Sequence, residues 1–175
     1  MTTDLDLLMK KISYGDEDAF GELYGLTKDK VFYTALSIVR DRGIAEDVMQ
    51  ETYIKVRRNV NGYKEKTNPL NWITSIARNT AINEYNRRKR ESSVDPEESE
   101  YLFGTEDANI ESSDTVKYMM KFLSMDERQI VTMHAVSGFK HSEIAEITDK
   151  PLGTVLWMYQ KALKKLKKAL KEEGL

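Results

Sequence analysis

Asn79, Asn83 and Asn86 stand at i, i+4 and i+7, a spacing that lines three carboxamides along one side of a helix. A carboxamide both donates and accepts, as reading the edge of a nucleobase requires. Asparagine forms helix poorly, so three in one stripe cost roughly 0.5 kcal/mol or more each relative to alanine. The stripe runs into Arg87-Arg88-Lys89-Arg90, four consecutive cations able to grip phosphates. A second set follows later in the chain, where Trp157, Gln160, Lys161, Lys164 and Lys168 share the helix side opposite Val155, Tyr159, Ala162, Leu166 and Leu170. An indole can pack on thymine methyls or sugars, a glutamine can read a base, and lysines can take phosphates. The plainer reading is two solvated faces, with Trp157 packed on a neighbouring helix, and spacing alone leaves both readings open.

A third set suits protein docking. On a helix over Ile44 to Arg58, Ala45, Val48, Met49, Thr52 and Val56 gather on one side, and Asp47, Gln50, Glu51, Ile54 and Arg58 on the other. An apolar Ile54 among acids, an amide and an arginine makes a mixed patch, although single exposed apolar residues are common on any surface.

Nothing nominates a catalyst. The chain has no Cys, and its two histidines, His134 and His141, fall on separate predicted helices, the first a core or interface residue and the second a surface one. Neither sits in a metal-ligand motif, Gly138 and Gly153 read as helix punctuation rather than a phosphate loop, and no pair of acids suggests a general acid and base. No catalytic residue, metal or cofactor is expected.

The elements that must position these residues are helices. With 175 residues, 40% apolar, only 9 Gly and 3 Pro, the chain is suited to one ordinary domain or two small helical ones. Leu5, Leu8, Met9 and Ile12 predict a first helix ending near Gly15, and Asp16 caps the next. Ala19, Phe20, Leu23 and Tyr24 continue it, and Val31, Ala35, Ile38 and Val39 form a further stripe before Asp41-Arg42-Gly43. Asn68-Pro69 opens the helix that carries the amide stripe and sends Trp72, Ile76 and Thr80 inward. A helix is predicted over Val116 to Leu123, and Ser124 with Glu127 forms a capping box for Met125 to Val136, which Gly138 ends. Ser142 caps a short helix with Ile144, Ala145 and Ile147, then Asp149 to Gly153 turns into the last long helix. Helix, tight turn, longer basic helix is the helix-turn-helix arrangement. No apolar run approaches the roughly 18 residues of a membrane span, so a cytoplasmic protein without membrane insertion is expected.

The net charge of −2 conceals a segregation. Residues 1–90 carry 16 basic and 13 acidic groups, or +3; residues 91–114 carry nine acids and no base; residues 115–175 carry 11 against 7, or +4. The fold expected is therefore all-α. A helical bundle over 1–90 and a helix-turn-helix domain over 115–175 are joined by an acidic flexible linker over 91–114. Extended, those 24 residues reach about 80 Å, against about 25–30 Å as a coil.

Ala45-Glu46-Asp47-Val48-Met49-Gln50-Glu51-Thr52-Tyr53-Ile54-Lys55-Val56, Trp72 with Ile76-Ala77-Arg78-Asn79, Glu143-Ile144-Ala145 and Gly153-Thr154-Val155 together resemble the sigma-70 family, extracytoplasmic-function group. The resemblance covers about residues 5–90 and 115–170. It implies a non-catalytic subunit that binds core RNA polymerase, brings it to promoters and assists DNA melting. Asp47, Gln50, Glu51, Ile54 and Arg58 then match the surface for the polymerase β′ clamp helices, with the β flap as a further contact. Tyr63 and the loop Lys64 to Asn68 match the segment that captures a flipped −10 base, with Asn79 lining that pocket, Asn83 beside it, and Asn86, Arg87 and Arg88 beyond. Thr154, Leu156, Trp157, Gln160, Lys161 and Lys164 fall on the −35 recognition helix. The family often has Arg or Lys where this chain has Leu156 and Met158, and a small residue at Trp157, so the commonest −35 sequence is not expected to carry over. Arg57 replaces a frequent tryptophan. The resemblance also implies an anti-sigma partner, promoter DNA as ligand, no small-molecule substrate, and a linker that threads the RNA channel of the polymerase. An autonomous helix-turn-helix regulator and a helical adaptor are the alternatives, and both leave the loop before Pro69 and the amide stripe without a role.

Overall fold

The computed structural model describes residues 4–92, 120–172 and 174. Helix α1 spans Leu5–Ser13 and is capped by Asp4, whose Oδ1 accepts the amides of Asp6 and Leu7 at 3.0 and 3.4 Å. Helix α2 (Glu17–Val39) is capped by Asp16, and it joins the two expected apolar stripes into one element. It ends at Arg40 in the left-handed region (φ 59°), after which Asp41 caps α3 (Arg42–Asn59). A single 3₁₀ turn, Val60–Gly62, leads to a loop and then to α4 (Pro69–Glu91), which has Asn68 at its N-cap and Pro69 in the first turn. Glu91, expected to open the linker, is the last residue of α4. The rest of the expected linker beyond Ser92, and the first part of the helix expected over Val116 to Leu123, lie outside the described residues.

Helix α5 is Met125–Val131, with the expected capping box in place: Ser124 N donates to Glu127 Oε2 at 2.9 Å and Glu127 N to Ser124 Oγ at 3.3 Å. The helix expected to run on to Val136 instead widens into a π-helical turn, Thr132–Val136, before Gly138 (φ 73°) reverses the chain. Helix α6 is His141–Thr148. Its N-cap is Lys140 rather than the expected Ser142, because Glu143 reaches back to accept the Lys140 amide at 2.8 Å. Asp149 (φ 51°) makes the tight turn, and α7 runs Leu152–Glu172 with Gly153 inside its first turn rather than in the turn before it.

The fold is all-α with two helical domains, and no strand occurs among the described residues. Helices α1 to α4 enclose Leu23, Val31, Val56, Ile73 and Ala77, continuing through Ile38, Ala45 and Ala81. Helices α5 to α7 enclose Ile130, Met133, Phe139, Ile144 and Val155, with a smaller group around Leu123 and Ala162.

The two sets of helices pack on each other. Leu70 of α4 inserts into the core of α5 to α7, and Met125 of α5 packs against the core of α2 to α4. Polar contacts flank this exchange. Asn68 Nδ2 donates to Glu143 Oε1 (3.2 Å), Asn71 Nδ2 to Glu146 Oε2 (2.9 Å), and Arg78 Nε to Gln129 Oε1 (2.7 Å). Arg128, fully buried, donates from Nε to the Ser37 carbonyl and from Nη1 to the Leu123 carbonyl. The Lys30 ammonium lies 5.1 Å from the centre of the Phe139 ring. The seam is imperfect, since buried Asn71 Oδ1 and Gln129 Nε2 have no hydrogen-bond partner among the described residues.

Candidate nucleic-acid interface

All five residues of the mixed patch on α3, Asp47, Gln50, Glu51, Ile54 and Arg58, are exposed, with Ile54 at 51%. The opposite side of α3 is anchored by Ala45, Val48, Thr52 and Val56, and by Tyr53, whose hydroxyl lies 2.6 Å from Thr27 Oγ1. Burial pushes that phenol well above its usual range. Glu51 is paired with Lys55 at 2.7 Å, and Lys55 also reaches Thr80 Oγ1 at 3.0 Å, which ties α3 to α4. Arg57 forms an ion pair with Glu17 and lies 5.6 Å from the Phe20 ring centre, so it fastens α3 to α2.

The loop from Tyr63 to Asn68 is fixed from a distance by α1. Tyr63 lies edge-on to Trp72, ring centres 5.5 Å apart, and its hydroxyl is within 2.7 Å of Asp6 Oδ1 and 2.8 Å of the Thr67 carbonyl. The same Asp6 oxygen accepts the amide of Lys66, which holds a left-handed conformation (φ 65°). Burial, followed by the carboxylates of Asp6 and Asp4, pushes the Tyr63 phenol up to about 12, so it stays protonated and donating. Lys64 is exposed, and its carbonyl accepts from Thr67. Sequence reasoning missed Asp6, because nothing local to it points to a loop 57 residues later.

Asn79, Asn83 and Asn86 are all exposed on α4, while Ala77, Thr80, Ala81 and Tyr85 form the buried side. Asn79 lies 11 residues beyond the cap at Asn68, about 16 Å along the helix, so the loop and the amide stripe are neighbouring patches rather than one cluster. Arg88 is half-buried. Arg87 is held by its own helix: Glu84 at 2.7 Å and Glu91 at 2.8 Å clamp the guanidinium. A phosphate there would have to displace two carboxylates. Asn68 itself is engaged twice, capping Asn71 and donating to Glu143.

On α7 the six expected residues, Thr154, Leu156, Trp157, Gln160, Lys161 and Lys164, are exposed, whereas Val155, Ala162 and Ala169 are buried. Trp157 is 60% exposed and does not pack into a neighbouring helix; the Lys161 ammonium lies 4.8 Å from its ring centre. Helix α7 is held in place by Lys165, which pairs with buried Glu127 of α5 at 2.7 Å. Burial alone would raise the Glu127 carboxyl, but Lys165 and the Ser124 donors outweigh it and hold it below the usual carboxylate range.

The histidines are closer than their sequence separation suggested. His134 and His141 stack with ring centres 4.1 Å apart, and Tyr159 of α7 stands edge-on to both. His134 Nδ1 donates to the Phe139 carbonyl at 2.8 Å. His141, expected at the surface, is instead partly buried with its Nε2 shielded, and burial together with neighbouring His134 lowers its pKa. Among the described residues no group of three or more His, Asp or Glu is placed to hold a metal ion, and no helix is long and apolar enough to cross a membrane.

Comparison with known proteins draws these surfaces together. Residues 23–91 match the family model for Sigma-70 region 2 and residues 114–166 that for Sigma-70, region 4. The chain is 26% identical over 181 residues to the "ECF RNA polymerase sigma factor SigK" of Mycobacterium sp. (strain JLS), a match covering 97% of this chain and 92% of that one. It is 27% identical over 180 residues to the SigK of Mycobacterium tuberculosis H37Rv, covering 97% and 95%. In fold it is similar to the sigma factor RpoE solved with the anti-sigma factor NepR from Bartonella quintana (TM-score 0.73, 23% identity, 87% of this chain and 96% of that one). It is similar also to CnrH solved with the cytosolic domain of CnrY (TM-score 0.74, 18% identity, 97% and 99%).

Proposed function

From the premise that this chain belongs to the sigma-70 family, extracytoplasmic-function group, and directs core RNA polymerase to promoters, we propose which surfaces carry each part of that task. The mixed patch of α3, centred on Ile54 and edged by Asp47, Gln50, Glu51 and Arg58, docks the clamp helices of the polymerase β′ subunit. The observation that carries this assignment is the exposure of Ile54 within a charged surface, on a helix whose other side is fixed by Tyr53, Val56 and Arg57. A rigid apolar anchor with a polar rim is the form that protein interfaces concentrate their energy in.

The −10 element is taken by the loop from Tyr63 to Asn68 and by the Asn79, Asn83 and Asn86 stripe, with Arg88 and the basic end of α4 along the phosphates. Flipping a base costs a few kcal/mol of unstacking, which hydrogen bonds to the exposed base edge must offset. The exposed face of α7, from Thr154 to Lys164, takes the −35 element as duplex, with the β flap against the same C-terminal domain. The two binding domains fall over residues 1–91 and 115–175, with the acidic strap between them. An anti-sigma protein is the expected regulator: the sigma factor RpoE, of similar fold, was solved with the anti-sigma factor NepR.

Run-off transcription from a promoter library with bacterial core polymerase tests the assignment. Start sites are expected with the wild-type chain and not without it, and an Asp47→Arg/Ile54→Glu variant is expected to lose them while keeping its fold. Full activity in that variant would move the docking surface elsewhere.

A further inference from the structure

The outward face of α7 carries an unusual mixture. Leu152, Leu156 and Trp157 are 45%, 43% and 60% exposed, an apolar strip along the first two turns. Lysines at 161, 164, 167 and 168 are exposed beside and beyond it, and from Leu152 to Lys171 the helix contains neither an acid nor an arginine. The Lys161 ammonium rests 4.8 Å from the Trp157 ring centre, so the strip and its cations meet at this residue.

An apolar strip bordered by cations fits a ligand that offers apolar groups between rows of anions. Duplex DNA does so in its major groove, where thymine C5 methyls lie between two phosphate backbones. The usual reader of guanine is an Arg or Lys pointing at O6 and N7. No residue from Leu152 to Gln160 is of either type, and the first lysine beyond them, Lys161, has its ammonium over the Trp157 ring. Gln160, exposed one turn beyond Leu156, has the donor and acceptor pair that suits adenine N6 and N7. Thymine methyls and adenine edges belong to the same base pairs, so the apolar and amide side chains point to one sequence class.

We propose that α7 reads an A·T-rich −35 element, with Leu156 and Trp157 on thymine methyls and Gln160 on an adenine, rather than a guanine-containing one. This rests on the promoter role assigned to α7 above, and sharpens it to a base composition and a mode of contact. The lysines supply sequence-independent phosphate contacts, and discrimination comes from the methyls.

The test uses holoenzyme reconstituted from the full chain and core polymerase, on promoters recovered from the run-off library. Replacing each −35 thymine by deoxyuridine removes a methyl and leaves every hydrogen-bonding group in place. Open-complex formation is expected to fall roughly fourfold per contacted methyl, while deoxyuridine between the two elements changes nothing. Trp157→Ala, an exposed substitution that leaves the core intact, is expected to weaken the thymine template and to abolish most of the thymine–uracil difference. A −35 element dominated by G·C pairs, or identical activity on thymine and uracil templates, overturns the inference while the sigma assignment stands. An equal loss from Trp157→Ala on both templates also overturns it, and makes the apolar strip a protein-docking surface. If no promoter responds to the chain at all, the promoter role falls and this inference with it.

Discussion

The Tyr63 hydroxyl lies 2.7 Å from Asp6 Oδ1, so a residue in the first helix fixes the loop that precedes α4. The same oxygen holds the amide of Lys66, whose left-handed backbone is otherwise unfavourable for a residue with a side chain.

Asp6→Ala is therefore expected to lower stability by only about 1 kcal/mol, yet to loosen the loop from Tyr63 to Asn68. Promoter melting should suffer while core binding does not. Permanganate reactivity of thymines in the opened region, compared with co-purification of core polymerase, reads the two effects separately. Equal loss of both would mean that Asp6 supports the whole bundle rather than the loop.

The partly buried His141, stacked on His134, is expected to make the C-terminal domain acid-sensitive. His141 is held below its ordinary value of 6.5, first by burial and then by His134 beside it. The unfolded chain therefore binds a proton at His141 before the folded one does. Stability is fully retained above about pH 6.5 and declines as the pH falls below it. Denaturant midpoints at pH 7.5 and 5.5 measure the decline, and His141→Phe, which keeps a ring against Tyr159, should flatten it. A variant whose midpoint falls as much as that of the wild type would place the sensitivity in another group.

Glu127 joins three roles in one side chain: it closes the capping box with Ser124, pairs with Lys165, and is almost fully buried. Glu127→Ala should cost about 2–3 kcal/mol, since a cap and the partner of a half-exposed lysine are lost together. The thermal midpoint is expected to drop by several degrees, and Lys165→Met, which keeps the cap but strands the buried Glu127 carboxylate without its counter-charge, should cost at least as much. A loss in Lys165→Met far below that in Glu127→Ala would show that the cap, rather than the ion pair, carries most of the effect.

The contact between the two domains should be adjustable from α6. Glu143→Ala with Glu146→Ala removes the acceptors for Asn68 and Asn71, and with Glu143 the acceptor for the Lys140 amide at the start of α6, without touching either hydrophobic core. The chain has no native Cys, so a dye pair at Asn86→Cys and Lys168→Cys labels it without further change. The mean distance between the dyes is expected to lengthen in the double variant, and an unchanged distance would show that the remaining contacts of Leu70, Met125, Arg128, Arg78 and Lys30 suffice to hold the seam.

The faces were legible because they obey helical spacing. Ile54, Asn83 and Trp157 are exposed for the same reason that Val56, Ala81 and Val155 are buried: each helix has one apolar side to hide, and 100° per residue assigns the rest. The cap at Asn68 and the box at Ser124 were legible because their partners lie three residues away. What sequence reading could not reach depends on partners far along the chain. Arg128 looks like any helix-surface arginine until Ser37, 91 residues earlier, is brought against it. His141 read as a surface residue because the π-helical turn and Gly138, which fold it back onto His134, leave no periodic signal. Ser142 is an ordinary cap by type, but Glu143 reaching back to the Lys140 amide moved the start of α6 two residues earlier. The acidic stretch between the domains is plain in composition, yet charge alone says nothing of how close the flanking domains sit.

On the −10 assignment proposed above, the Asn68 amide held by Glu143 is the one a flipped base would need, so the seam between the domains and the promoter would compete for one side chain. In population terms, the affinity of this loop for DNA is its intrinsic affinity multiplied by the fraction of molecules in which the seam is open. A closure favoured by about 1.4 kcal/mol would lower that affinity tenfold. The linkage is reciprocal: polymerase and DNA that hold the domains apart must weaken any ligand that grips both at once, and by the same factor.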